Sequence, residues 1–542
     1  MAFTLAAMAA ATASMAFALD GQITIHDPST VVFCDGKYYT WGTGGTPLVS
    51  DDGWTWRAGT RPLRTGAAPD VIHIGDKYFM YIAGGGPPGP QPPAPSQYRA
   101  YITMIWSKSL DPQSPDYKWN DGGVVASSNG LEDSWAIDPG AFLDPTTHRL
   151  WLTYGTYVGY IRLVELDPKT GKRLDPNSKP YNLSINGEAS DMFYHDGWYY
   201  LLQTRGSCCA SSNSGYNIRM GRSRKVTGPY LDNDGTDMIE GGGKLLITGD
   251  ERRIGAGHFG LMDLGQGVYK FSFHWEADLD RGGASVLEIR PLLFRNGWPV
   301  AGENFKEGTY EIQSVRTGTS LEMAVEGQPV GGGRGGRGGG GAGRGRGAAG
   351  GPPAQAPDAA GRGAQADAGR GAQADAGRGA QADAGRGGGR GPGGGGGGMF
   401  GGSGTPIPDQ QASQVDSNWP AGEVPVRMAN YMLQAQQKWT IAPAPNGGGY
   451  PGSPYFKITI AGTDRTLAVG PDQELVVLPS FSGAPEQLWR IDEVAEGEWR
   501  IVPKSAAGSK EPLALSALGA SFATLEKYDP SSEKMRWQIK LP

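Results

Sequence analysis

Between residues 20 and 300 the chain alternates short apolar runs, Asp/Gly-type turns and aromatic-rich runs. Val31-Val-Phe-Cys-Asp-Gly-Lys-Tyr-Tyr39 and Val71-Ile-His-Ile-Gly-Asp-Lys-Tyr-Phe79 are two such units. Ala141-Phe-Leu-Asp144 with Leu150-Trp-Leu152, the stretch from Ile185 to Tyr200, and Leu261 to Phe271 are the others. Strand-length runs around a tight turn are the signature of a β-hairpin. Five hairpins in one chain predict radial repetition, an all-β five-bladed propeller over residues 19–305. A polar residue stands just ahead of each hairpin: Asp27, Asp70, Asp138, Glu188 and His258. If each first strand lines the axis, these side chains converge at one end of it. Convergent carboxyls suit cleavage of a glycosidic bond, with one carboxylic acid protonating the leaving oxygen and one carboxylate activating water.

Beyond residue 305 the pattern changes. Three units end alike, in Gln437-Lys-Trp439, Gln487-Leu-Trp489 and Met535-Arg-Trp537, and begin alike at Tyr310, Phe456 and Trp499. They resemble the ricin-type β-trefoil, so residues 306–542 are expected to form a trefoil-like domain, either a sugar-binding module or a structural brace. The first unit is far longer than its partners because of a Gly/Arg/Ala-rich tract with a repeating octad from Gly361. Such a tract has little to bury, and residues 327–420 are expected to be a disordered insertion within the first lobe. Its arginines raise an RNA-binding alternative, but no aromatic precedes Phe400 to stack on bases, so no nucleic-acid partner is expected.

Composition narrows the field further. A chain of 542 residues exceeds one core, and a net charge of −6 does not suit a coat for nucleic acid. Residues 1–18 are small and apolar and end in Ala16-Phe-Ala18, as a signal peptide does, although no Lys or Arg stands near Met1. Export to the periplasm or medium is therefore expected, with no membrane span and a monomeric state. Cys34, Cys208 and Cys209 make an odd count with one vicinal pair, which does not read as a disulfide framework, so packed thiols are expected. The Pro-rich loop from Gly84 to Ser96 falls on a propeller rim.

The motifs His26-Asp27-Pro-Ser29, Ala136-Ile-Asp138-Pro-Gly140, Gly187-Glu188-Ala-Ser190 and Gly255-Ala-Gly-His258 run in that order along the chain. Between them lie Cys208-Cys209, Asn213, Tyr216 and Thr227-Gly-Pro-Tyr230. Together they resemble glycoside hydrolase family 43, and within it the arabinan-degrading enzymes. The resemblance implies inversion at the anomeric carbon, with Asp27 as general base, Glu188 as general acid and Asp138 orienting and tuning Glu188. It implies calcium near His258, held largely through water, and a plant cell-wall polysaccharide or oligosaccharide as substrate. Asp70, Trp135 and Tyr157 are the candidate substrate contacts, with Asp70 equally readable as a turn residue. Where relatives in that group usually carry Asn this chain has Trp135 and Gly140, and where they carry Trp it has Ala67 and Val158, so the subsites differ. The expected activity is hydrolysis of α-1,5-arabinofuranosyl bonds. An exo-acting arabinofuranosidase or xylosidase and a non-catalytic sugar-binding protein are the alternatives.

Overall fold

A computed structural model describes residues 19–85, 100–128, 135–155, 159–325, 409–506 and 512–542. The expected leader, Tyr157, most of the Pro-rich loop and the tract as far as Pro408 lie outside these residues. The hairpins of the propeller are built as anticipated, each extended to a four-stranded antiparallel sheet. Blade two orders Ala67–Ile74, Lys77–Gly85, Ala100–Ser107 and Asn120–Ser127 from the inside out. Blade three orders Gly140–Leu143, Leu150–Tyr154, Tyr160–Leu166 and Tyr181–Ile185, and blade four Glu188–His195, Trp198–Arg205, Asn217–Ser223 and Lys244–Thr248. Blade five runs from Arg253–Asp263 to Trp298–Ala301. Blade one begins with Val32–Cys34 and gains Asp20–Gly21 as a fifth strand, paired parallel to Thr55–Ala58.

The ring is closed by the segment just after that edge strand. Ile25 N–H donates to Ser285 O at 3.0 Å and Leu287 N–H to Ile23 O at 2.9 Å, so residues 23–25 lie along blade five before the chain enters blade one. The blades are cemented by aromatic and aliphatic side chains alternating along each strand. Phe193, Tyr200, Phe271, Phe273 and Trp275 belong to one buried cluster, and Phe79, Tyr81, Leu150 and Leu152 to another.

The C-terminal region repeats one sequence of elements three times: three strands, a 3-10 turn, then a strand opening on Trp. The turns are Ala435–Gln437, Pro485–Gln487 and Glu533–Met535. The three indoles make equivalent bonds, Trp439 to Leu321 O at 2.9 Å, Trp489 to Leu467 O at 3.1 Å and Trp537 to Leu515 O at 3.0 Å. Gln437 and Gln487 each accept a backbone N–H five residues upstream, from Met432 and Ser482, at 2.7 Å. The sulfur of Met535 takes that place by facing Asp529 N–H at 3.3 Å.

Two expectations are corrected. Residues 409–420 belong to the fold: turns at Ala412–Gln414 and Asp416–Asn418 carry Ala412, Val415 and Trp419 into the C-terminal core. Cys208 and Cys209 are joined in a disulfide, whereas Cys34 is a buried free thiol as expected. Among the described residues no helix is long and apolar enough to cross a membrane.

Candidate active site

Each blade carries a residue in the left-handed region at or near the start of its first strand, or in blade five midway along it: Asp27 (φ 50°), Ala68 (43°), Asp138 (50°), Ala189 (48°) and His258 (57°). This conformation costs a non-glycine residue roughly 1–2 kcal/mol and recurs where the surroundings enforce it. In blades two, four and five the ladder slips there, between Ala67 and Asp70, Glu188 and Asp191, and Gly257 and Gly260. A bulge of this kind re-aims the side chains beside it. Two residues further on the first strands crowd together: a Cβ on Gly140 would lie 2.1 Å from Ser190 O, and one on Gly260 2.7 Å from Thr30 Cα. Gly140 is thus a packing requirement, which accounts for its departure from Asn.

Asp27 sits among donors. The Thr43 hydroxyl donates to its Oδ2 at 2.6 Å, and its own backbone N–H donates to His274 Nδ1 at 2.8 Å. His26 Nε2 lies 3.5 Å from Oδ2, with His258 Nδ1 and His274 Nδ1 at 3.7 and 3.8 Å from Oδ1. Burial pushes the Asp27 carboxyl up, but His258 beside it is the largest opposing influence and holds it well below the usual carboxylate range. His274 accepts at Nδ1, which assigns its proton to Nε2, 3.4 Å from Glu276 Oε1. Burial lowers the His274 pKa and favours that neutral form.

Glu188 and Asp138 behave in the opposite sense. Burial raises Glu188, the Tyr216 hydroxyl that donates to its Oε1 opposes the rise, and the charge on Asp27 adds to it. Burial likewise lifts Asp138 well above the ordinary value, and Glu188 and Asp27 lift it further. Asp138 Oδ2 accepts the N–H of Ala189 at 3.1 Å, so it grips the residue next to Glu188 and fixes where that side chain starts. Asp27, Asp138, Glu188 and His258 therefore form one electrostatic cluster. The Asp138–Glu188 pair holds a proton at a pH where Asp27 is already ionised, a division of labour suited to general acid/base chemistry.

The sequence profile of "Glycosyl hydrolases family 43" matches residues 36–299. The extracellular exo-α-(1→5)-L-arabinofuranosidase of Cellvibrio japonicus is 31% identical over 270 residues, covering 44% of this chain and 75% of the relative. The extracellular endo-α-(1→5)-L-arabinanase 1 of Bacillus subtilis is 30% identical over 317 residues, covering 54% of this chain and 91% of the relative. The chain belongs to glycosyl hydrolase family 43. It is a glycosidase. Among solved structures, an exo-1,5-α-L-arabinanase from a bovine ruminal metagenomic library aligns at 30% identity with a TM-score of 0.46, covering 53% of this chain and all of that one.

Of the candidate substrate contacts, Asp70 is built into the fold. It lies two residues beyond the left-handed position and is 3% exposed, with both oxygens engaged by backbone: Thr30 N–H donates to Oδ1 at 3.0 Å and Ala141 N–H to Oδ2 at 2.8 Å. Through these two bonds Asp70 ties blades one and three together. Trp135 is 44% exposed on the segment leading to Asp138, and Tyr160 is 37% exposed at the head of its strand. His258 is buried, and its Nδ1 lacks a hydrogen-bond partner. That nitrogen stands 3.7 Å from Asp27 Oδ1; burial lowers the His258 pKa, but Asp27 above all, with Asp138 and Asp70, raises it, so a cation there would have to displace a proton, and neither of the two clusters of ligand-type side chains among the described residues includes His258. Thr43, His274 and Glu276 were not anticipated. Their signal lies in an alternation: Lys270, Ser272, His274, Glu276 and Asp278 are buried polar residues between apolar ones along Tyr269–Asp278, and nothing in that run singles out the two that reach the site.

Proposed function

We propose that the protein is an inverting glycosidase that cleaves α-1,5-linked L-arabinofuranosyl bonds in arabinan or arabino-oligosaccharides. Asp27 deprotonates the attacking water, Glu188 protonates the leaving oxygen, and Asp138 keeps Glu188 in place and protonated. The opposed shifts of Asp27 and of the Asp138–Glu188 pair carry this reading. The Cellvibrio and Bacillus relatives support the sugar and the linkage. They differ in mode, so a ladder of oligosaccharides from linear arabinan marks endo attack, and one short product released from chain ends marks exo attack. Chromatography of digests of arabinan, xylan and galactan tests the substrate. Glu188→Gln is expected to lower kcat on arabinan by about 10²–10⁴. Equal, slow release by wild type and variant across the panel would sink the acid assignment in favour of a sugar-binding protein.

The reading includes action outside the cytoplasm, supported by the leader-like residues 1–18, the extracellular relatives and the Cys208–Cys209 disulfide. It also includes a β-trefoil for the C-terminal region, supported by the three equivalent indole bonds. Calcium near His258 completes it. That ion takes six to eight oxygen ligands, so His258 would contribute one nitrogen and water the remainder. When bound it would supply a positive charge near the anion of Asp27. Metal analysis before and after dialysis against a chelator, with the melting temperature followed in parallel, tests the ion.

A further inference from the structure

The loop between Trp198–Arg205 and Asn217–Ser223 of blade four reaches both working carboxyls. Its far end carries Tyr216, which donates to Glu188 Oε1. Its near end carries the Cys208–Cys209 disulfide, with Cys209 Sγ 3.9 Å from His26 Nε2, the atom that lies 3.5 Å from Asp27 Oδ2. The Cys209 N–H donates to Glu276 Oε2 at 3.0 Å, while Glu276 Oε1 stands 3.5 Å from His26 Nδ1 and 3.4 Å from His274 Nε2. The loop is held in a conformation that L-residues resist, with φ of 61° at Cys209 and 49° at Ser211. Cys209 is nevertheless exposed and Cys208 partly so. A disulfide between neighbouring residues closes a small ring, which presents two polarisable sulfurs with few rotamers to lose when a ligand binds.

We propose that the Cys208–Cys209 disulfide is a substrate-positioning element of this site, forming the cleft wall beside His26 and, in its oxidised form, setting the affinity for the sugar held between Asp27 and Glu188. The inference rests on the glycosidase reading above. A dithiol reductant converts the bond to two thiols, giving up two electrons and two protons and becoming a disulfide itself. The reduced loop loses its ring and the strut on Glu276, while Asp27, Asp138 and Glu188 keep their other partners. Binding therefore weakens more than chemistry slows.

The test uses the full chain and linear arabino-oligosaccharides. Peptide mapping by mass spectrometry of the untreated protein is expected to find Cys208 linked to Cys209. Reduction with dithiothreitol is expected to raise KM about tenfold with kcat changed less than about twofold, and reoxidation to restore both. A Cys208→Ala/Cys209→Ala variant is expected to match the reduced enzyme and to ignore dithiothreitol, whereas Cys34→Ser responds as wild type does. If the double variant does not fold, reduction and reoxidation of the wild type decide. Free thiols at both positions in untreated protein, an unchanged KM after verified reduction, or a fall confined to kcat overturns the proposal and leaves the glycosidase assignment standing. Oxidised wild type that releases no sugar from any substrate overturns that assignment and this inference with it.

Discussion

Asp138 and Glu188 are two buried carboxyls facing a third, and their repulsion decides what each does. A carboxyl whose folded pKa is raised contributes its stability below its ordinary value, 3.8 for Asp138, and loses it as pH rises through the folded pKa. At neutral pH an ionised Asp138 is thus a cost to the fold. Asp138→Asn keeps an oxygen for the Ala189 N–H and cannot ionise, so it is expected to gain about 1 kcal/mol at pH 7 and nothing at pH 3. Denaturant unfolding at the two pH values measures the difference, and a gain independent of pH would count against a shared proton. The same substitution takes one carboxyl out of the pair that shares the proton, so kcat on arabinan is expected to fall, which steady-state kinetics measures. Asp27, Asp138 and Glu188 were legible in the sequence because each precedes a hairpin. Thr43 reaches the same cluster from the turn after Lys37–Gly42, and His274 and Glu276 from within Tyr269–Asp278, where no spacing links them to Asp27.

The strand entrances explain a partial misreading. The hydrophobic pattern places Asp27, Asp70, Asp138, Glu188 and His258 as equivalents, but the shared left-handed positions are 27, 68, 138, 189 and 258. A bulge inserts residues without altering the run of apolar side chains after it, so pattern alone cannot tell Ala68 from Asp70. Glu188 escapes the consequence because it precedes the kink and reaches Tyr216, whereas Asp70 follows it and is drawn into the blade. The same crowding makes Gly140 irreplaceable. Its would-be methyl meets a backbone oxygen, Ser190 O, which cannot rotate away. Gly140→Ala is expected to cost about 1–3 kcal/mol in denaturant unfolding and to lower kcat by displacing Asp138 two residues upstream. Unchanged stability would show that blades three and four separate easily. The vicinal disulfide was hidden for a different reason: cysteine counting looks for loops to close, and a pair of neighbours closes none.

At the scale of the molecule the three Trp-ended units were legible through their spacing, while the return of the chain at residues 409–420 was not, because Ala412, Val415 and Trp419 stand singly among polar neighbours. Nor does sequence announce how the propeller meets the C-terminal region. Lys270, on the second strand of blade five, is 2% exposed; its ammonium donates to Pro451 O and lies 4.0 Å from Asp492 Oδ1. Asp492 Oδ2 accepts from Arg490 Nε at 2.7 Å and from Arg500 at 2.8 Å, so its charge keeps two cationic partners without Lys270, although Oδ1 has no hydrogen bond of its own. Burial brings Lys270 down to about 7 from its ordinary 10.5, despite the opposing pull of Asp492. Between those values the unfolded chain holds a proton that the folded one has released, so this group makes stability rise with pH across the window. Replacing a buried ion by an apolar side chain of similar length is often neutral or stabilising when no charge is left stranded. Lys270→Met is therefore expected to melt no lower than wild type at pH 7. Its advantage should shrink as pH approaches 10, because only the wild type gains from deprotonation. Calorimetry of both proteins across that range measures the gap. A loss of about 3 kcal/mol or more at pH 7 would instead mean that a charged Lys270 is what joins the two regions.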